Sequence, residues 1–262
     1  MMEKITHVVM FSGGAGSWFA ARRTVAEHGR ESVLLLFTDT KTEDPDLYRF
    51  LDEAAADVGA ELVKIADGRD IWQVFKDRRM LGNSRIAGCS GELKQKPARR
   101  WMEANAPGAT VVLGIDWTEE HRLPGAVAGW HPFNVVAPMC GKPYMTRRQM
   151  LDAMAEAGIE RPRLYRLGFQ HNNCGGGCVR AGVGHFAHLY RTLPNVFAEW
   201  ERKEAETAEY LGGGVSILRR RAGGETYPLT LSELRERLER QPRLFDDGEW
   251  GGCGCFLGGD DE

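Results

Sequence analysis

The sequence predicts an α/β protein: a three-layer parallel sheet followed by a Cys-rich, mainly helical C-terminal extension. Three observations carry this. Apolar runs at Thr6 to Phe11, Val33 to Thr38, Leu62 to Ile65 and Thr110 to Ile115 alternate with helix-like segments. A glycine-rich turn, Ser12 to Ser17 (SGGAGS), stands between the first run and the first helix. Four of the six cysteines fall in two pairs set among glycines after residue 160. The reading is therefore an α/β domain over 1–160 and a Cys-rich region over 161–262 packed on it.

Taken in order, Val8 to Phe11 is apolar at every position, as a strand covered on both faces must be. Trp18 to Arg23 opens the first helix. Pro45 to Val58 puts Leu47, Phe50, Leu51 and Ala54 on one side of a second helix, and Ile71 to Arg78 and Lys96 to Asn105 supply further crossovers. After Val135 the alternation fades. Thr146 to Gln149 is a capping-box pattern opening a helix to about Ala157, and Pro162 begins an irregular segment. A helix over Val196 to Leu211 ends at Gly212, Gly213 and Gly214. A hairpin follows, Val215 to Arg221 with Thr226 to Leu229 across Ala222 to Glu225, and Thr230 to Glu233 caps a last helix to about Arg240. No internal repeat is present.

A chain of 262 residues with 42% hydrophobic content can bury a sizeable core. Its formal charge of −3 gives no general affinity for nucleic acid or an anionic membrane. No apolar stretch reaches the roughly 20 residues of a membrane span, and a strand begins near the N-terminus where a signal sequence would lie. The expectation is a cytoplasmic protein with no membrane partner; a homodimer is left open. In that compartment the cysteines point to metal or redox chemistry rather than structural disulfides.

Ligands of such sheets bind outside the carboxyl ends of the strands, where SGGAGS, Thr38 to Thr40 and Gly114 to Asp116 all emerge. Gly13, Gly14 and Gly16 let a ligand approach the backbone, the helix start aims N–H groups at it, and Ser12 and Ser17 add hydroxyls. A phosphate cradle is the functional reading, a plain strand-to-helix turn the structural one. The loop lacks the Lys-Ser/Thr pair and the dinucleotide spacing of the two commonest nucleotide loops. It resembles the PP-loop of the ATP pyrophosphatases, usually SGGxDS, with Gly16 where that family has Asp.

The cysteines are Cys89, Cys140, Cys174, Cys178, Cys253 and Cys255, the last four in CGGGC and CGC. Thiolates so spaced suit zinc, copper(I) or an iron-sulfur cluster, with a redox dithiol at Cys253 and Cys255 as the alternative. Cys140 reads as a small buried side chain. The segment Cys89 to Pro97, with Lys94 inside it, resembles the Cys-x-x-x-x-Lys-x-x-Pro segment of the PAPS and APS reductase-like (adenine nucleotide alpha hydrolase-like) branch of the PP-loop superfamily. That resemblance implies a sheet of the PP-loop (HUP-like) type and a [4Fe-4S] cluster held by cysteines here and later. This chain offers Cys89, Cys174 and Cys178, with Cys253 or Cys255 to complete the set; zinc is the alternative.

Gly114 to Arg122 resembles the Gly-x-Arg-x-x-Glu-x-x-Arg pattern of the same enzymes. Gly114, Glu119 and Arg122 match, and Asp116 replaces an arginine, which suits Mg2+ or a hydroxyl better than an anion. A helix start with solvated acids is the alternative. Asp39 reads as a helix cap or a contact to the ATP ribose or magnesium, and Lys94 as a solvated charge or a phosphate contact. Arg99 and Arg100 read as solvated, and so do Arg219 and Arg221, with nucleic acid as the sharper alternative for that pair. His171, Asn172 and Asn173 fit a buried loop or an orienting role, and His185 and His188 read as polar or packed.

The resemblance implies ATP binding with phosphates on SGGAGS, attack of a substrate oxygen on the α-phosphorus, release of pyrophosphate, and displacement of AMP by sulfur from a thiolate or cluster. The substrate is a nucleic-acid base or a small molecule. Two alternatives remain: a sulfonucleotide reductase, and a non-catalytic nucleotide-binding module with structural zinc.

Overall fold

Alternate residues of the two central strands face opposite ways, and both sets are apolar. Val9, Phe11, Val33, Leu35 and Phe37 enter one buried cluster, while Val8, Met10, Leu34 and Leu36 enter another. A sheet built from such strands needs cover on both faces, which is why helices stand on each side. The structure, a computed structural model, describes residues 5–83 and 85–241.

The elements are β1 (His7–Met10), α1 (Ala15–His28), β2 (Val33–Asp39), α2 (Pro45–Val58), β3 (Glu61–Ala66) and α3 (Ile71–Asp77). A single turn, α4 (Gly88–Ser90), runs through the wide-pitched stretch Gly91–Gln95 into α5 (Lys96–Asn105). Then come β4 (Thr110–Val112), a tight helical turn Trp117–Arg122, α6 (Leu123–Trp130) and β5 (Val135–Val136). α7 (Arg147–Glu156) follows, and the C-terminal region holds α8 (Arg163–Arg166), α9 (Val183–Thr192), α10 (Pro194–Tyr210), the strands β6 (Leu218–Ala222) and β7 (Glu225–Leu229), and α11 (Leu231–Arg240).

Five parallel strands lie in the order β3-β2-β1-β4-β5, with His7 level with Val33 on one side and Thr110 on the other. The order reverses at β1, so the crevice between β1 and β4 is the switch point where this class of sheet binds ligands. α1, α2 and α7 cover one face, and α5 and α6 the other. Local chemistry explains the boundaries. Asp44 caps α2 through the Asp46 N–H at 2.9 Å, Pro45 starts it, and Gly59 at φ +72° ends it. Thr146 with Gln149, and Thr230 with Glu233, form capping boxes at α7 and α11.

The sequence pattern predicts neither α6 nor the two-residue β5, and β4 stops at Val112 rather than Ile115. The hairpin is tighter than expected, β6 and β7 meeting across Gly223 and Gly224, both at positive φ, as a two-residue turn requires. A third apolar cluster, under the C-terminal region, draws on both sides of residue 160. Ile71, Trp72, Phe75 and Leu93 pack with Phe186, Phe197, Trp200 and Leu234, and the Trp72 and Trp200 rings meet edge-on at 5.0 Å.

Buried Glu204 on α10 ties this region together, one carboxylate oxygen accepting from Ile217 N at 2.8 Å and the other from Leu231 N at 2.6 Å. Burial pushes its pKa up to about 7, against the pull of those two N–H groups. The folded protein thus keeps this proton where the unfolded chain has lost it. The group's contribution to stability is full below the ordinary carboxylate range and is lost as pH rises toward 7. Glu204→Ala strands two buried donors and is expected to lower stability by about 2–4 kcal/mol. In urea unfolding the deficit should be larger at pH 5 than at pH 7.5.

Candidate functional site

The turn after β1 is shaped by what it touches. Gly13 sits at φ +75°, and a Cβ there would overlap the Leu47 side chain. A Cβ on Gly16 would stand 2.6 Å from the Gly114 carbonyl oxygen, and one on Gly114 would stand 2.6 Å from Ser17 N. The loop and the end of β4 therefore lie backbone against backbone. This accounts for Gly16 where the PP-loop pattern has Asp: no β-carbon fits. α1 then starts with no side-chain cap and no acid in its first turn, leaving the positive end of its dipole uncompensated. Ser17 Oγ donates to Gly14 O at 2.9 Å and Ser12 Oγ to Ser17 Oγ at 3.4 Å, so both hydroxyls brace the loop.

In front of this turn lies a cavity of about 420 Å³. The loop residues Ser12, Gly14, Gly16 and Ser17 line it, and so do Asp116, Glu119 and Arg122 from the β4 side. Gly13 is not among the lining residues; its carbonyl oxygen accepts from Asn172 Nδ2 at 2.9 Å. Asp116 caps the following turn by accepting from Thr118 N at 2.8 Å, and Arg122 pairs with Glu119. The far wall comes from α7, α8 and the segment before Cys174. Arg147 lies 4.9 Å over the Tyr165 ring and donates to Phe169 O, while the Tyr165 hydroxyl accepts from Ala15 N at the start of α1. With Arg122 held by Glu119, Arg147 adds the cationic charge that the glycine loop needs beside it.

Two further residues bear on what the cavity takes. Asn172 is buried, and its Oδ1 has no hydrogen-bond partner, an acceptor that a hydroxyl, an amino group or a water would satisfy. His171 has its pKa pushed down to about 4, chiefly by burial and then by Arg147, so it is neutral at pH 7.

Two expected residues lie elsewhere. Asp39 accepts from Lys41 N and the Tyr48 hydroxyl, and the cap of α2 is Asp44 instead. Lys94 is neither solvated nor at the glycine loop. It is buried, with Nζ 3.4 Å from Glu43, whose carboxylate also accepts from Thr40 Oγ1 and from Cys174 N. Arg99, expected to be solvated, lies over the Trp130 and Phe133 rings and donates to two backbone carbonyls. His185 and His188 each bond a backbone carbonyl at 2.7 Å, and Cys140 Sγ bonds Ile115 O.

Lys94 borders a second, small cavity of about 30 Å³ lined by Cys89, Cys174 and Cys178. Cys174, in the left-handed region at φ +52°, has its thiol pKa raised well above the usual value by its hydrogen bond with Cys178 and by burial. The glycines between them have packing roles: Gly175 lies against Thr42 O, and a Cβ on Gly177 would overlap the Trp200 ring. Cys253 and Cys255 lie outside the described residues.

Among the described residues no group of three or more His, Cys, Asp or Glu side chains is placed to hold a metal ion. Cys89, Cys174 and Cys178 line this cavity together, and the residues expected to complete a ligand set with them, Cys253 or Cys255, lie outside the described residues. Of the carboxylates of the larger cavity, Asp116 accepts from Thr118 through Oδ1, and Glu119 pairs with Arg122 through Oε1.

Arg147, Tyr165 and Glu43 were not singled out from sequence. The capping box at Thr146 did locate Arg147 at the first position of α7, but not what it faces.

No family model and no curated protein matches the chain. Solved structures do. One is phosphoadenylyl-sulfate (PAPS) reductase from Candida auris in a phosphate complex: 16% identity, 64% of this chain and 80% of that one, TM-score 0.46. Another is NH3-dependent NAD synthetase from Campylobacter jejuni subsp. jejuni NCTC 11168 in complex with the nitrate ion: 17% identity, 79% and 87%, TM-score 0.40. At these scores the likeness says nothing about the site, whose reading rests on its own residues.

Gly16→Ala is expected to cost about 1–3 kcal/mol of stability through the collision with Gly114, measured by urea unfolding. His171, with its folded pKa depressed, contributes stability that is full above pH 6.5 and lost as pH falls toward 4. His171→Gln should flatten the stability curve through that window.

Proposed function

We propose that the chain is an ATP-using enzyme that adenylates a substrate oxygen and releases pyrophosphate. The observation that carries the reading is the uncapped start of α1 behind SGGAGS, opening into the cavity that Arg147 and Arg122 flank. Backbone N–H groups and a helix dipole stabilise phosphate oxygens where the sheet order reverses.

In this reading the glycine loop and Arg147 hold the β- and γ-phosphates. The substrate oxygen attacks the α-phosphorus, the bond to the bridging oxygen breaks, and pyrophosphate leaves with its charge met by donors already in place. Neutral His171 serves as a hydrogen-bonding group and not as a competing cation. The partner-free Oδ1 of Asn172 accepts a hydrogen bond from a ligand hydroxyl or amino group. Magnesium enters as part of the nucleotide substrate, and no step is assigned to a protein-held cation. A second step, in which sulfur attacks the carbon bearing the adenylated oxygen and AMP leaves with that oxygen as the C–O bond breaks, has Cys89, Cys174 and Cys178 as its candidate carriers; no cluster is assigned to it. The substrate class is a nucleic-acid base or a small molecule with a carbonyl or amide oxygen.

The test is phosphorus NMR of the products formed from MgATP, with titration calorimetry of ATP binding. AMP and pyrophosphate are the expected products, and Arg147→Ala should weaken ATP binding by about ten- to a hundred-fold. ADP with orthophosphate, or no binding of ATP, would sink the reading.

A further inference from the structure

Among the described residues five large hydrophobic side chains are exposed, and two of them, Trp117 and Tyr144, touch each other. Their ring centroids are 5.6 Å apart with planes tilted by 38°. Trp117 lines the large cavity together with the glycine loop, and Tyr144 packs against the Trp117 ring. Exposed aromatic area facing water is costly, and two such rings side by side at a cavity mark a binding surface rather than core left uncovered.

The pair is also held in place. Trp117 Nε1 donates to Met145 O at 3.1 Å, tying the turn after β4 to the strand-free segment that carries Tyr144. That segment is fastened from below by Arg23 of α1, whose guanidinium donates to Pro138 O at 2.7 Å, Gly141 O at 3.0 Å and also Pro143 O. An exposed tyrosine on an irregular segment would otherwise sample many positions. Here the entropy of fixing it has been met before any ligand arrives, which favours affinity.

Apolar Met10, Leu113, Ile115, Met145 and Met150 line the same cavity. It thus combines backbone N–H groups and arginine with a flat π surface and an apolar wall. A molecule matching that combination carries both phosphates and a planar heteroaromatic ring.

We propose that Trp117 and Tyr144 form the stacking platform for the base of the nucleotide whose phosphates lie on the glycine loop. The proposal rests on the nucleotide reading given above and adds the base subsite to it. Stacking is tolerant of ring identity, so the platform supplies affinity for a purine or pyrimidine, while discrimination falls to polar groups nearby.

The experiment is titration calorimetry of the wild type, Trp117→Ala, Trp117→Phe and Tyr144→Ala with two probes in magnesium buffer, ATP and inorganic tripolyphosphate. Trp117→Ala should weaken ATP by about ten-fold or more and Tyr144→Ala by about five-fold, with tripolyphosphate affinity within about two-fold of wild type. Trp117→Phe keeps a stacking face but loses the bond to Met145, and should retain most of the ATP affinity. Unchanged ATP binding in Trp117→Ala overturns the platform while leaving the phosphate site standing. Parallel loss of ATP and tripolyphosphate in both Trp117 variants overturns it too, since it would reduce Trp117 to a brace for the loop. A wild type that binds neither probe overturns the nucleotide reading itself, and the platform with it.

Discussion

The arrangement depends on a contact between two glycines. Gly16 in the turn after β1 and Gly114 after β4 meet backbone to backbone, closer than any side chain at either position allows. That approach brings the start of α1 against the end of a neighbouring strand and makes the floor of the cavity out of peptide groups. Everything else at the site is built onto this floor: Asp116, Glu119 and Arg122 follow directly from Gly114, while Tyr165 and Asn172 reach the loop from the other side. The Tyr165 hydroxyl takes the Ala15 N–H at the start of α1, and no acidic residue stands in the first turn of that helix.

The segment from Gln170 to Cys178 serves both cavities. Asn172 bonds the glycine loop, and two residues later Cys174 N–H is held by Glu43, itself paired with Lys94. A buried ion pair of this kind is costly to form and costly to break. Its effect is to set the path of a glycine-rich stretch that has no regular structure of its own. The short spacing of CGGGC is met by steric need at Trp200 and Thr42 as much as by any chemistry of sulfur.

Much of the fold could be read along the chain because its signals are local. Val8 to Phe11 and Val33 to Thr38 are apolar on both faces, Pro45 opens α2, Thr146 to Gln149 carries its own cap, and the glycines at 223 and 224 mark the hairpin, although the cap of α2 is Asp44 and the turn is two residues shorter than expected. β5 escaped because two residues carry no periodicity, and α6 because Leu123 to Trp130 shows no clear apolar stripe. At the site, the glycine loop was legible and the reason for Gly16 was not, since it lies in Gly114, far along the chain. Lys94 misled for the same cause. A lysine in a helical, charged stretch reads as solvated until its distant partner Glu43 is known. The aromatic pair was invisible, because Trp117 and Tyr144 are ordinary residues whose meaning comes from Arg23 and Met145 holding them at one place.

The outer strands of the sheet have a consequence of their own. β3 forms one border and shows water Glu61 and Lys64, the latter 2.6 Å from Asp52, while β5 forms the other and is only two residues long. A foreign strand seeking to add itself would meet charge at one border and too few peptide groups at the other. The sheet is thus finite by composition, protected against edge-to-edge growth, and a second copy of the chain would gain little by continuing it.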